Sequence, residues 1–460
     1  MKNIIALIVC VSLAIVLAAC TESMEKTASQ STYPVTLMTI DPGHFHASLV
    51  QKTMYPQVNP KAYVYAPEGA DVQDHLARVK QYNDRPETPT AWKETVYTGP
   101  DFLTKALTEK KGNVVVLAGN NQKKIDYIKS SVDAGLNVYS DKPMVINAEG
   151  YEILKQAFET AEAKNVLLYD IMTERYEITT MLQKELAHMP EVFGELKKGT
   201  LEDPSIVKES VHHFFKYVSG NPLKRPAWFF DTTKQGEGIV DVTTHLVDLV
   251  MWEAFPEEAI ETEQVKVAAA KRWATVLTPA EFREVTQEKD FPADLKASLN
   301  AEGALPCYAN GQIDFTVRNV CARVKVLWNY KAPEGAGDTH YSIMKGTKAN
   351  IIIRQGQEEN YRPELYVEAA EGTEAAALDA VMFKTSLELQ RKYPGVRALK
   401  KGNQWQIAIP DRYRTGHEAH FAQVTEKYLK FLHEGKLPAW EKQNMLTKYF
   451  ITTTALQMAQ

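Results

Sequence analysis

The chain has 460 residues, with 53 Lys plus Arg against 58 Asp plus Glu and a formal net charge of -5. At 44% hydrophobic and 24% charged it is long enough and apolar enough for two or more globular domains, which excludes a fibrous or disordered chain. No basic tract or interleaved aromatic stripe offsets the acidic balance, so nucleic acid is not an expected partner. The 21 Tyr and 7 Trp would suit a carbohydrate surface, because flat rings cover the apolar faces of sugars, although a place in a core or on a sheet is the ordinary use of any one ring.

Residues 1–19 read as a processing signal: Lys2 gives the positive start, and the apolar run 4–17 is short for a membrane span. The ending Leu17-Ala18-Ala19-Cys20 resembles the bacterial lipobox, which implies cleavage before Cys20 and a lipid on its sulfur. The expected location is therefore the bacterial cell envelope, lipid-anchored and facing the periplasm or the surface. With no twin-arginine pair, export as an unfolded chain is expected. Residues 20–33 then form a polar tether.

From residue 34 to 170 strands and helices alternate. Strands are expected over 35–40, 62–66, 114–118, 137–139 and 166–169, and helices over 47–54, 101–110, 125–134 and 149–164. Short, apolar, valine-rich strands separated by helices imply a parallel sheet with right-handed crossovers, a Rossmann-type domain. Residues 171–460 change texture: alternating segments near 207–213, 265–269, 312–317, 322–328, 350–354 and 404–409 favour a large, mainly antiparallel sheet in an α+β domain. Helices are expected over 418–434 and 442–458.

Once the leader is gone and Cys20 is lipidated, Cys307 and Cys321 remain. They flank an expected hairpin turning at Asn310-Gly311, so a disulfide and two separate buried thiols both stay open. No Cys and His spacing suggests structural zinc.

Three segments carry chemistry. A strand at 114–118 leads into Gly119-Asn120-Asn121, and the next short strand ends in Asp141-Lys142-Pro143. Further on stands Gly236-Glu237-Gly238-Ile239-Val240-Asp241-Val242-Thr243-Thr244-His245-Leu246-Val247-Asp248, and then Gly346-Thr347-Lys348 before another strand. In this order they resemble the Gfo/Idh/MocA oxidoreductases: the triplet stands where that family has Glu-Lys-Pro, and the second segment resembles its GGGxLxDxGxHxxD run. The resemblance spans about 35–353 and leaves the C-terminal extension without a counterpart in shorter members.

What the resemblance implies is an NAD(P)-dependent oxidoreductase acting on a CH–OH group of a sugar, glycoside or cyclic polyol. A histidine with a pKa near working pH accepts the hydroxyl proton, and a lysine stabilises the developing alkoxide. Carried onto this chain, Lys142 and His245 are the reacting pair and Asp241 is a substrate anchor or ring-orienting acid. Asp248 and Trp228 are expected to touch substrate, and Gly43, His44, His46, Glu68, Asn120, Asn121, Asp141 and Pro143 the cofactor, NAD or NADP. A homodimer through the open face of the second sheet is implied in the same way.

The chain departs from the family where the pyrophosphate binds. In place of G-x-G-x-x-G it has Asp41-Pro42-Gly43-His44-Phe45-His46, and only the middle glycine remains. Ala66 holds the usual place of the ribose-binding acid, with Glu68 two residues on, and Lys124 stands where a histidine is common. The favoured reading is a cofactor in a modified pose, with His44 or His46 near phosphate. The others are a cleft that has lost the dinucleotide, and histidines that pack and cap. His44 and His46 with Asp41 could hold a metal, but strand-turn spacing alone does not establish one, and no metal site is expected. Outside the cytoplasm NAD is not replenished, so a tightly held cofactor is expected, including the case of redox-neutral glycoside cleavage through a keto intermediate. A lipid-anchored sugar-binding protein without chemistry is the reading from another class.

Overall fold

A computed structural model describes residues 34–218 and 221–460; the leader, Cys20 and the tether lie outside the described residues. Six strands, β1 (Leu37–Ile40), β2 (Lys61–Ala66), β3 (Lys93–Thr98), β4 (Val114–Leu117), β5 (Asn137–Asp141) and β6 (Leu168–Ile171), pair in the order β3-β2-β1-β4-β5-β6. Every pairing is parallel, which is the doubly wound arrangement with its switch point between β1 and β4. β1 and β4 are buried at every position, because helices cover both faces of a parallel sheet. The crossovers carry α1 (His46–Leu49), α2 (Ala70–Asp84), α3 (Phe102–Glu109), α4 (Asn121–Asp133) and α5 (Ala148–Lys164).

Two elements here have no strong sequence signature. β3 is an edge strand, mostly exposed and polar, and α2 buries only Val72, His75 and Val79. The helix expected over 47–54 shrinks to α1: beyond Leu49 the amides of Gln51 and Lys52 bond three residues back, to Ser48 and Leu49, and the chain proceeds in turns.

The rest of the chain supplies α6 (Ile178–Ala187), β7 (Ile206–Phe215), α7 (Thr243–Ala254), β8 (Val265–Leu277), β9 (Leu305–Val317), β10 (Val320–Lys331), β11 (Thr339–Lys345), β12 (Ala349–Gln355), β13 (Glu364–Ala369), α8 (Ala375–Lys392), β14 (Arg397–Lys401), β15 (Gln404–Ala408), α9 (His417–Glu434) and α10 (Ala439–Ala459). Nine of these strands form one sheet, β8-β9-β10-β7-β11-β12-β13-β15-β14, antiparallel except where β7 runs beside β10. Leu182 and Leu186 of α6 and Val247, Val250 and Met251 of α7 share one core with inward residues of that sheet, among them Ile313, Phe315 and Ile351.

The hairpin expected at Asn310-Gly311 turns elsewhere. β9 runs straight through both residues and reverses at Arg318-Asn319, whose left-handed φ values of 49° and 66° make the two-residue turn. Gly311 serves a close approach instead: a Cβ there would stand 2.7 Å from Ile239 Cβ and 2.8 Å from its Cα. The resulting register pairs Cys321 with Thr316 and Cys307 with Thr275, and both cysteines are free thiols.

The C-terminal extension does not stay with the second sheet. α9 returns to the parallel domain, where Tyr428 stacks on Tyr139 and Tyr169 at 4.5 and 5.9 Å with rings 6° from parallel. Phe421, Val424, Leu429, Met445 and Tyr449 of α9 and α10 belong to the parallel domain's own core. These helices therefore fasten the two sheets to each other and line their junction. Among the described residues no helix is long and apolar enough to cross a membrane.

Candidate active site

The switch point brings the loops after β1 and β4 into contact. Asp41 takes the left-handed conformation (φ 47°) that a glycine usually fills, and its Oδ2 accepts from Tyr127 Oη at 2.8 Å. The N–H groups of Gly43 and His44 both donate to the Ala118 carbonyl at 3.1 Å. Gly119 makes this closeness possible, since a Cβ there would lie 2.5 Å from the Asp41 carbonyl oxygen. Over Gly43 stand the Asp71 carboxylate and the Trp228 ring, 3.3 and 3.5 Å from where a Cβ would be. Trp228, expected on substrate, thus packs on the fingerprint turn. Glu68 is exposed on the turn after β2.

At the carboxyl end of β5, Asp141 is buried with its Oδ2 3.0 Å from His46 Nδ1 and 3.6 Å from His44 Nδ1. The next residue, Lys142, crosses the domain boundary: its Nζ donates to Asp241 Oδ1 at 2.7 Å. Lys124 is fully buried and pins the turn beneath, donating to Asp141 O (3.0 Å), Pro143 O (3.1 Å) and Asn121 Oδ1 (2.6 Å). Burial lowers the Lys124 pKa to about 8. The Asn120 side chain caps α4 by accepting from the Gln122 N–H, and Asn121 Nδ2 donates to the Gln235 carbonyl of the second domain. Those two amides, expected on the cofactor, are spent on holding the loop and closing the domains, because a helix start and a cross-domain carbonyl each need a partner.

Asp241 does not orient His245. Its oxygens take Lys142 and Gln235 Nε2 (2.9 Å), while His245, one turn on at the start of α7, keeps a buried Nδ1 with no hydrogen-bond partner. Burial, then the nearby Lys142 ammonium, hold the His245 pKa well below its usual value, so the ring is neutral at neutral pH. Burial would lower the Lys142 pKa too, but the Asp241 and Asp141 carboxylates outweigh it and keep the ammonium charged.

His245 lines a cleft of about 180 Å³ together with Glu174, Glu177, His212, Asp338 and His340. Glu174 and Glu177 also line the neighbouring cleft, which reaches His417 and His420 on α9. Burial and the Glu177 carboxylate raise the Glu174 pKa to about 7. His212 Nδ1 lies 3.4 Å, and His213 Nδ1 3.1 Å, from the Asp338 carboxylate. Sequence reasoning missed Glu174, His212, Asp338 and His417. The His212-His213 pair on an expected strand was the one visible hint; the others come from a short turn, a loop and the extension, where no motif marks them.

Asp248 departs furthest from expectation. It is buried away from the cleft, bidentate to Arg175 at 2.6 and 2.7 Å and 3.0 Å from Lys448 Nζ. Arg175 also donates to Glu441 at 2.9 and 3.1 Å, and Lys448 to Asp170 at 2.7 Å. Burial alone would raise the Asp248 pKa; Arg175 and Lys448 reverse this and hold it far below the carboxylate range. This acid joins α7 to α10 and to the turn after β6, and both of its oxygens are taken by those cations.

Residues 182–460 match the family model described as "Putative oxidoreductase C terminal domain". The chain belongs to that oxidoreductase family. A solved protein from Parabacteroides merdae, likewise described as a "putative oxidoreductase", is 55% identical with a TM-score of 0.91, covering 92% of this chain and 97% of that one. Levoglucosan dehydrogenase, solved with NADH and levoglucosan, has the same fold at 12% identity (TM-score 0.59, covering 92% and 97%). Biliverdin reductase from Synechocystis, solved with biliverdin and NADP+, shares it at 11% identity (TM-score 0.55, covering 93% and 99%). No curated protein matches the sequence. The Gfo/Idh/MocA resemblance carried by the motifs therefore agrees with the family and with the two-sheet architecture.

Proposed function

We propose that the protein oxidises or reduces a CH–OH carbon of a sugar, glycoside or cyclic polyol with a tightly held NAD or NADP. The observation that carries this reading is the Lys142–Asp241 pair across the domain boundary, with the Lys142 ammonium near enough to His245 to lower its pKa and His245 lining a cleft beside Glu174. The fit to a dinucleotide is uneven. Asp71 and Trp228 close the position directly over Gly43, while among the described residues none accepts from the Phe45 N–H, so the His44-Phe45 side of the turn is left to take the diphosphate. Phe45 and the Asp141-Pro143 turn would hold the cofactor, which when bound supplies the hydride acceptor.

The chain's own residues do the rest. Neutral His245 takes the substrate hydroxyl proton, and the Lys142 ammonium, fixed by Asp241, stabilises the oxygen as its charge develops. Donors held in a partly dry cleft need little reorganisation as charge moves, which is where their advantage over water lies. A redox-neutral glycoside-cleaving cycle is favoured by Glu174: a carboxyl of pKa about 7 in the same cleft suits a further proton transfer next to a transient ketone.

The lipobox-like ending supports attachment to the envelope through Cys20, and a resident cofactor suits that location. Cys20→Ser should release the protein from membranes; soluble wild-type protein with an unmodified Cys20 would remove that part of the reading. A homodimer through the second sheet is proposed by analogy alone and is read out by its mass in solution. The reading as a whole is tested by mass spectrometry of natively purified, then denatured, protein. Stoichiometric NAD or NADP is expected; protein that neither carries nor binds either one is a sugar-binding protein on this scaffold.

A further inference from the structure

The turn that departs from the dinucleotide fingerprint gathers a second set of groups. His44, His46 and Asp141 come together from two turns, each offering one ligand atom, and these atoms all lie within 4.8 Å of one another. The carboxylate oxygen is 3.6 Å from one nitrogen and 3.0 Å from the other. Around a tetrahedral ion with bonds of about 2.0–2.1 Å, neighbouring ligand atoms stand about 3.3 Å apart, so the two measured edges straddle the required one. The two imidazoles meet edge to face, at 86° and 4.1 Å between centroids, which lets both nitrogens reach one point without stacking.

The remaining contacts fit a ligand role. His46 Nε2 lies 3.0 Å from His417 Nε2. Coordination through Nδ1 puts the His46 proton on Nε2, where it donates to His417, the kind of outer contact that fixes a ligand's tautomer. A plain hydrogen-bonded cluster accounts for His46 and Asp141 but leaves His44 Nδ1 buried without a partner. The opposing charges are the Lys124 and Lys142 ammoniums. Lys142 is already paired with Asp241, and Lys124 is held by two carbonyls and an amide oxygen.

We propose that His44 Nδ1, His46 Nδ1 and Asp141 Oδ2 form a three-ligand site for a divalent first-row transition metal such as Zn2+, reached past the partly exposed His44. Two imidazoles and one carboxylate are a donor set such ions favour over magnesium or calcium. The site goes beyond the oxidoreductase reading: neither Lys142 nor His245 is a ligand, while His44 and Asp141 lie on the turns that reading gives to the cofactor, so the metal is measured on protein free of dinucleotide.

The test uses the mature protein, stripped with a chelator and titrated with Zn2+ by calorimetry and with Co2+ by visible absorption, so that no turnover is involved. One equivalent is expected, with the d–d bands of a nitrogen- and oxygen-ligated cobalt. His44→Ala and Asp141→Asn should weaken binding by more than the roughly 10–100-fold that follows loss of a group hydrogen-bonded to a ligand, and His417→Ala by an amount within that range. Circular dichroism checks the fold; should Asp141→Asn fail to fold, His44→Ala decides, because that ring is partly exposed. Wild-type protein that binds neither ion, or a folded His44→Ala that binds as wild type, overturns the site.

Discussion

Asp248→Asn separates a structural acid from a substrate contact. The carboxylate takes three charged hydrogen bonds, two from Arg175 and one from Lys448, in a region where all three side chains are at most 5% exposed. The substitution keeps the shape and removes the charge, leaving two buried cations to share Glu441 and Asp170. Breaking a buried pair at one partner costs about 3–5 kcal/mol, most of it the penalty of the charge left behind. With an unfolding entropy of roughly 2.1 cal/mol/K per residue over about 430 residues, that cost lowers the melting temperature by about 3–6 °C if the domains unfold together. Differential scanning calorimetry reads the shift, and steady-state kinetics on the same sample should show KM nearly unchanged. An unchanged melting temperature with a raised KM would falsify the placement of Asp248 in the network and return it to the substrate.

Gly119→Ala should destabilise the fold by about 1–3 kcal/mol in urea titrations, because the new methyl meets the Asp41 carbonyl at 2.5 Å and Gly43 N at 2.8 Å; wild-type stability would mean that the two loops are not in contact. Two buried histidines should make the protein acid-sensitive above the usual carboxylate range. Burial lowers the His340 pKa to about 3 and the His420 pKa to about 4, so below the unfolded value near 6.5 the unfolded chain takes protons that the native one refuses. The contribution of these two histidines is full above that value and falls as the pH drops toward 4, while Glu174, raised to about 7, acts in the opposite direction; His340 alone contributes about 1–2 kcal/mol by pH 5, so His340→Gln should be less acid-sensitive than wild type, and a variant as acid-sensitive as wild type counts against this origin.

Much of the fold can be read in the sequence where one rule governs a segment. β1 and β4 are uninterrupted apolar runs because both faces of the sheet are covered, and α5, α9 and α10 show apolar residues at helical spacing. β3 and α2 escape because an exposed edge strand and a helix that buries three residues carry little pattern. Asn310-Gly311 misleads because glycine answers two demands, a left-handed turn or close packing, and here Ile239 sets the second. The site divides in the same way. Lys142, Asp241 and His245 stand in motifs; the structure pairs Lys142 with Asp241 and sets the Lys142 ammonium near His245. Asp248 stands in the same motif, yet its partners lie 73 and 200 residues away in sequence, so its burial against them is invisible until the chain is folded. Glu174, His212, Asp338 and His417 complete the clefts from four separate places for the same reason.

The most direct test of the central claim is a single-turnover measurement on cofactor-loaded protein, in which sugar is added and the nicotinamide absorbance followed. Wild type should reduce its cofactor. Lys142→Met and His245→Ala should slow that step by a factor on the order of 10² or more while retaining fold and cofactor content, because each removes a group that acts in the transition state rather than in the core. Reduction at the wild-type rate in both variants would contradict the assignment of Lys142 and His245 as the reacting pair.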